Sequence, residues 1–396
     1  MATIRNLILG GTAALAIGAA APADAEDVVI GLNMVKSGAL KNVGEATETS
    51  VDIAVDEINA KGGIAGKKIK LLKYDTGSDP KQAATATQKF AEDDHALVVI
   101  GPFSSGEAAV GFPVGERLGI VEISNSSSQP GLTANYTYAW RFVSDEGKQF
   151  TRLINTLKKK SIKVDKAEII YVSDERVSNI SGTRFYPAIL KANGISFGDP
   201  IAFQYNSFDV SPQVSQALER KPDVIAMAAT PDSAGKVIKE LRRQGFQGRV
   251  IGSQIFADPN SIDLFGRDAD RLLIVAGFWW DRTDATRAFT KNFAEENAKR
   301  GLTSKKIPHH TDANAYDIVY LLKQVMEKVA VTADPAKLAQ ERTAIRDALK
   351  GVRFSGVTGD NTCFDQERDA ELPGFVIEIS DLKWNLFDSW PANPCP

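Results

Sequence analysis

Short, nearly all-apolar runs alternate with longer stretches that carry apolar residues at helical spacing, and this alternation restricts the fold more than any other feature of the chain. Residues 28–32, 69–74, 97–100 and 120–123 are runs of the first kind; 46–60, 80–92 and 106–118 are of the second. A run that is apolar on both faces is buried on both, as a parallel strand is when helices cover it. Strand, helix and strand joined by short connections imply right-handed crossovers and a doubly wound parallel sheet. The punctuation agrees: Asp79-Pro80 opens one helix, and Gly62-Gly63, Gly194 and Gly245 stop three others.

Residues 138–143 leave the pattern, and a second series follows. It reads helix 147–159, strand 168–172, helix 183–193, strand 196–203, helix 211–219, strand 223–226, helix 232–244 and strand 250–251. A strand at 272–278 and helices at 285–299, 312–328 and 335–349 come next, and the tail predicts a hairpin of 374–379 with 382–387 around Ser380-Asp381. The expected fold is therefore α/β, with two Rossmann-like doubly wound lobes. The 396 residues, 43% of them hydrophobic, suffice for two cores of roughly 150 residues each.

Two neighbouring strand ends stand out. One carries Gly101-Pro102-Phe103-Ser104-Ser105-Gly106, the other Ser124-Asn125-Ser126-Ser127-Ser128. Open α/β sheets bind ligands beyond the carboxyl ends of their strands, where loops and helix N-termini present N–H groups. Ser104, Ser105, Ser126, Ser127 and Ser128 would add hydroxyl donors, a set that suits a small carboxylate. Phe103, Phe256, Trp279 and Trp280 are candidate packing partners for its apolar part, with core packing as the alternative for each.

The N-terminus reads as an export signal. Arg5 precedes an apolar stretch, and Ala23-Asp24-Ala25 fits small-x-small cleavage, so a mature chain would start near Glu26 in the periplasm. The apolar stretch is about 15 residues long, short of the ~20 of a spanning helix. Export permits a bridge between Cys363 and Cys395, the two cysteines; it would close a loop of roughly 30 residues and add ~3 kcal/mol, the alternative being two unpaired thiols.

Several chemistries are disfavoured. A net charge of −3 without basic clustering gives no nucleic-acid footprint. The three histidines, His95, His309 and His310, lie near no Gly-x-Ser-x-Gly elbow. Gly101 and Gly106 are not followed by the lysine of a phosphate loop, and the first strand lacks Gly-x-Gly-x-x-Gly. No paired Cys or His spacing suits a metal. The expectation is a binding protein, not an enzyme, without cofactor or metal.

The run Asn59-Ala60-Lys61-Gly62-Gly63-Ile64 resembles the first helix and turn of type I periplasmic solute-binding proteins, the leucine/isoleucine/valine-binding group of ABC importers. Asp79-Pro80, Gln129-Pro130-Gly131-Leu132-Thr133, Arg243-Gln244-Gly245-Phe246 and Ala315-Tyr316-Asp317 continue the resemblance in order over essentially the whole mature chain. It implies two lobes joined by three crossings: residues 1–25 the signal, 26–143 with 277–356 the first lobe, and 144–276 with 357–396 the second. It also implies a monomer that delivers its ligand to the membrane permease subunits of an ABC importer; presentation to a sensory receptor is the alternative.

Residue by residue, the resemblance puts Ser105 where the family has a carboxylate-binding serine. Ser126 falls at a position of backbone contact and Ser128 at a threonine hydroxyl. Val43 and Thr230 stand where the family has aromatics, and Ser178 or Asn179 where it packs another. Gln254 takes the place of the acid that pairs an α-ammonium. An anion pocket would thus be kept and a cation pocket weakened, because a buried ammonium without a partner costs several kcal/mol. The expected ligand is a small carboxylate or amide.

Overall fold

The computed structural model describes residues 27–252 and 254–395, so the signal segment lies outside the described residues. Five parallel strands form the first sheet: β1 (Val28–Met34), β2 (Ile69–Asp75), β3 (Val98–Ile100), β4 (Val121–Ser124) and β5 (Ala139–Arg141), in the order β2-β1-β3-β4-β5. Residues 138–143 therefore do not leave the sheet; they add its last strand.

The second sheet is built from β6 (Ala167–Val172), β7 (Ile201–Phe203), β8 (Val224–Ala228), β9 (Arg249–Gly252) and β10 (Leu272–Ala276), all parallel. Two short strands, β11 (Cys363–Phe364) and β12 (Ala370–Glu371), pair only with each other. The hairpin of β13 (Gly374–Ser380) and β14 (Lys383–Trp390) completes the second sheet antiparallel, giving β14-β13-β10-β9-β8-β6-β7. Asp381 and Leu382 make its turn, both with positive φ (52° and 57°), the backbone twist a two-residue hairpin turn needs.

Both parallel sheets repeat one order. Each places its second strand outside its first and its third on the other side, so the winding reverses between β1 and β3 and again between β6 and β8. The loops at the carboxyl ends of those strands diverge and leave a crevice.

Each sheet has its own core. The first gathers β1, β3 and β4 with Trp140, Phe142 and the helices Thr47–Ala60 and His310–Lys328. The second gathers β6, β8, β9 and β10 between two helical layers, with Phe150 stacked on Tyr186 on one side and Phe256 against Phe265 on the other. Phe364, Ala370 and Leu372 belong to the first core, and Phe364 meets Trp140 edge-on at 4.9 Å. β13, which follows directly, pairs with β10 in the second sheet. Two-residue strands carry no periodicity, so β11 and β12 left no sequence signal. Among the described residues no helix is long and apolar enough to cross a membrane.

One buried carboxyl in the first lobe has a pH signature. Glu122 on β4 accepts a hydrogen bond from Thr87 Oγ1 (2.6 Å), while its Oε2 has no partner. Gly115 lies so close that a Cβ there would sit 2.3 Å from Oε2. Burial pushes the Glu122 pKa up to about 8. Below about pH 4.5 the carboxyl is neutral in both folded and unfolded chains and costs nothing. From there to about pH 8 the unfolded chain ionises while the folded one resists, so stability falls as pH rises, by a few kcal/mol in all. Glu122→Gln should melt like the parent near pH 4.5 and several degrees higher at pH 8, the gap widening between. Parallel melting-temperature profiles would exclude the carboxyl as the cause.

Candidate functional site

The site is assembled from the strand ends at the two winding reversals. At the end of β3, Ser104 caps the helix Ser105–Leu118: its Oγ accepts from the Glu107 amide (3.2 Å), and the Glu107 carboxylate accepts from the Ser104 amide (2.8 Å). Gly101 precedes this turn with φ of 114°, and a Cβ there would lie 2.5 Å from the Asn33 carbonyl, so the close approach of β1 and β3 requires glycine. Ser105, the first residue of the helix, accepts at Oγ from the Gln129 amide (3.2 Å) and so joins the two serine loops.

The second loop is held from behind. Ser124 Oγ donates to the Pro102 carbonyl (2.6 Å) and accepts from the Ser127 amide (3.0 Å). Asn125 and Asn314 exchange bonds between this loop and the helix His310–Lys328: Asn125 Nδ2 donates to the Thr311 carbonyl and Asn314 Nδ2 to the Asn125 carbonyl, both 3.0 Å. Arg141, fully buried at the end of β5, donates through Nη1 to the Ser127 and Gln129 carbonyls. Its remaining nitrogens grip both oxygens of the Asp369 carboxylate, with Nε at 2.6 Å from Oδ1. This brace was invisible in the sequence, because its two ends lie 228 residues apart.

Opposite, the second lobe contributes the ends of β6, β8 and β9. Glu175 starts the helical stretch 176–192; its carboxylate accepts from the Val177 amide (3.0 Å) and from the amide and hydroxyl of Ser178 (2.7 Å each). Thr230 precedes the helix Pro231–Arg243. Gln254 follows β9 and donates through Nε2 to the Ser144 carbonyl. From the first lobe, His309 caps the helix His310–Lys328.

These groups surround a cavity between the lobes with about 450 Å³ of empty space. Of the residues singled out in the sequence, Val43, Phe103, Ser104, Ser105, Ser126, Ser128, Thr230 and Gln254 line it. Ser127 is buried behind the wall, and Ser178 is turned to the Glu175 carboxylate. Phe256 packs in the second core, and Trp279 and Trp280 pack on each other (4.4 Å), away from the cavity. Sequence reasoning missed Glu175, His309 and His310 as lining residues. The only sequence signal was the place of the two histidines just before a helix.

The electrostatics favour an anion. The helices Ser105–Leu118, Pro231–Arg243 and His310–Lys328 all begin at the cavity wall, where their dipoles and first N–H groups concentrate positive potential. Glu175 is a lining carboxylate, and its charge is already engaged by the start of its own helix. Both histidines are held neutral: burial, reinforced by the Lys305 ammonium, brings His309 down to about 3, and burial with the neighbouring His309 brings His310 well below the ordinary range. Behind them burial raises Asp312 to about 7, while it accepts from the His309 amide (3.0 Å) and Thr47 Oγ1 (3.2 Å). Asp174 and Asp258 lie outside the lining, engaged with the Tyr205 amide and with Asn260 and Lys305.

The lobes meet over the cavity. Asn42 Nδ2 donates to Asp232 Oδ2 (3.0 Å), and Arg176 Nε donates to Gln129 Oε1 (2.7 Å). The cleft is closed.

Similarity to known proteins follows the same outline. A family model described as periplasmic binding protein matches residues 27–383. The Leu/Ile/Val/Thr-binding protein of Salmonella typhimurium is 27% identical over 392 residues, covering 98% of this chain and 97% of that protein. Among solved structures, the substrate-binding protein LivJ of Streptococcus pneumoniae in complex with isoleucine superposes with a TM-score of 0.76 at 22% identity, covering 93% of this chain and all of that one. A solute-binding protein of an R. palustris ABC transporter, in complex with benzoate, gives 0.78 at 18% identity, covering 93% and 97%. These structures share the two-lobed fold.

Proposed function

The chain belongs to the periplasmic binding protein family, and from that premise we propose that it captures a small carboxylate in the cleft and delivers it to the permease of an ABC importer. It is a binding protein and not an enzyme. The observation that carries the ligand class is the cavity itself: three helices begin at its wall beside the lining residues Ser104, Ser105, Ser126 and Ser128. Such a wall satisfies a carboxylate without a cationic side chain. Isoleucine and benzoate, held by the two similar structures, share a carboxylate and little else.

Gln254 is neutral where the family has the acid that pairs an α-ammonium, and the lining carboxylate, Glu175, is turned to the start of its own helix. The amine is therefore not what the site selects. The closed cleft, with bonds from Asn42 to Asp232 and from Arg176 to Gln129, is the form a ligand touching both lobes would favour, and the form a permease would meet. The family and the export signal read from residues 1–25 support a periplasmic location, and we read the protein as a monomer.

Calorimetric titration tests the ligand class. Carboxylates lacking an amine should bind at least as tightly as leucine, and their methyl esters at least ~10-fold more weakly, since the ester cannot supply the charge-assisted bonds. Tight binding of leucine with rejection of its des-amino analogue would overturn it.

A further inference from the structure

We propose that the wall opposite the serines recognises a hydroxyl group on the ligand, through Gln254 and His310. The proposal rests on the carboxylate reading and narrows it to a hydroxy acid. Two side-chain atoms of residues that line the cavity are buried without a hydrogen-bond partner, Gln254 Oε1 and His310 Nδ1; the His309 ring beside them is engaged by Thr311 Oγ1 and the Gln254 backbone. Gln254, His309 and His310 are 1%, 4% and 5% exposed. They belong together in space, for the two imidazole rings lie 4.0 Å apart, and a Cβ on Gly277 would meet Gln254 Oε1 at 3.3 Å and His310 Cβ at 3.1 Å. Buried polar atoms are seldom left unpaired, and a pair of them on residues that line one cavity marks where a partner group belongs.

The chemistry of these atoms selects that partner. The amide of Gln254 is oriented by its Nε2 bond to the Ser144 carbonyl, so the free atom is an acceptor. Each imidazole is neutral and so has one N–H and one acceptor nitrogen; the Nδ1 of His309 is already engaged with Thr311 Oγ1 (2.9 Å). A hydroxyl can donate to Gln254 Oε1 and accept from an imidazole N–H at once. An ammonium only donates, and it would bring a buried charge, while Asp312 and Asp258 near the histidines are already engaged with other groups. A methyl or ring C–H would leave Gln254 Oε1 and His310 Nδ1 unpaired.

Two matched series test this by calorimetry on the full mature chain: 4-methylpentanoate, 2-hydroxy-4-methylpentanoate and leucine; then benzoate and 4-hydroxybenzoate. In at least one series the hydroxy acid should bind ~10-fold or more tightly than its unsubstituted parent, and 2-hydroxy-4-methylpentanoate should outbind leucine. Gln254→Leu should reduce the preference for the hydroxy acid over its parent acid to about threefold or less. Gln254→Glu keeps the side-chain shape and should reverse the order of leucine and its hydroxy acid. Parent acids that bind as well as hydroxy acids in both series, or leucine as the tightest ligand of the unsubstituted protein, would overturn the proposal. Methyl esters binding as well as acids, with the hydroxyl preference intact, would overturn only the carboxylate reading beneath it. Failure of every acid and ester to bind would overturn both.

Discussion

Arg141→Leu should lower the stability of the folded chain by about 3–5 kcal/mol, the range for removing one partner of a buried ion pair. The cost follows from what stays behind. Asp369 is 3% exposed, and without the guanidinium its carboxylate keeps the Thr133 hydroxyl (2.9 Å). The Ser127 and Gln129 carbonyls lose their donor as well. The melting temperature should drop on the order of 10 °C. Adding Asp369→Leu should recover a large part of the loss, because the Asp369 charge is then no longer buried without its partner; Asp145, 4.0 Å from Arg141, keeps the Lys148 amide (2.9 Å). A double variant as unstable as the single one would show that the brace acts through packing and not through its charges.

Ser105→Asp should leave stability nearly unchanged and weaken binding sharply. Ser105 opens the helix Ser105–Leu118, where a carboxylate is welcomed by the helix dipole, and its side chain already accepts from the Gln129 amide. Thermal melting should therefore stay within about 1 kcal/mol of the parent, on either side. The same carboxylate would sit in the space proposed for that of the ligand. Like charges brought together cost several kcal/mol, so affinity for a carboxylate ligand should fall ~100-fold or more. Ser105→Asn, close in shape but uncharged, should lose far less. Equal losses for Asp and Asn would mean that crowding, and not charge, controls the site.

The alternation of apolar runs and helical stretches carried most of the fold, because strands buried on both faces and amphipathic helices write their environment into neighbouring residues. The first-lobe half of the cavity was legible for a related reason: Ser104, Ser105, Ser126 and Ser128 follow strands whose ends can be read locally. The rest depends on distant partners. Glu175 was hidden because the expected helix began at residue 183, whereas the helical stretch starts at Arg176 and passes through a turn of π-helix, Ser181–Phe185. Asp369 and the β11–β12 ladder serve the first lobe from beyond the expected boundary, placed by contacts with Arg141, Trp140 and Phe142 that no local pattern encodes.

Cys363 and Cys395 are bonded, and the bond joins elements of different lobes. Cys363 lies in β11, on the first core, whereas Cys395 follows β14, the outer strand of the second sheet. If a protease severed the backbone at Pro373, the hairpin of β13 and β14 would remain tethered to the body of the chain. That hairpin covers the flank of β10, and its departure would bare a row of unpaired backbone groups open to pairing with another molecule. A nicked molecule would thus persist as one covalent body in an oxidising surrounding and come apart only on reduction.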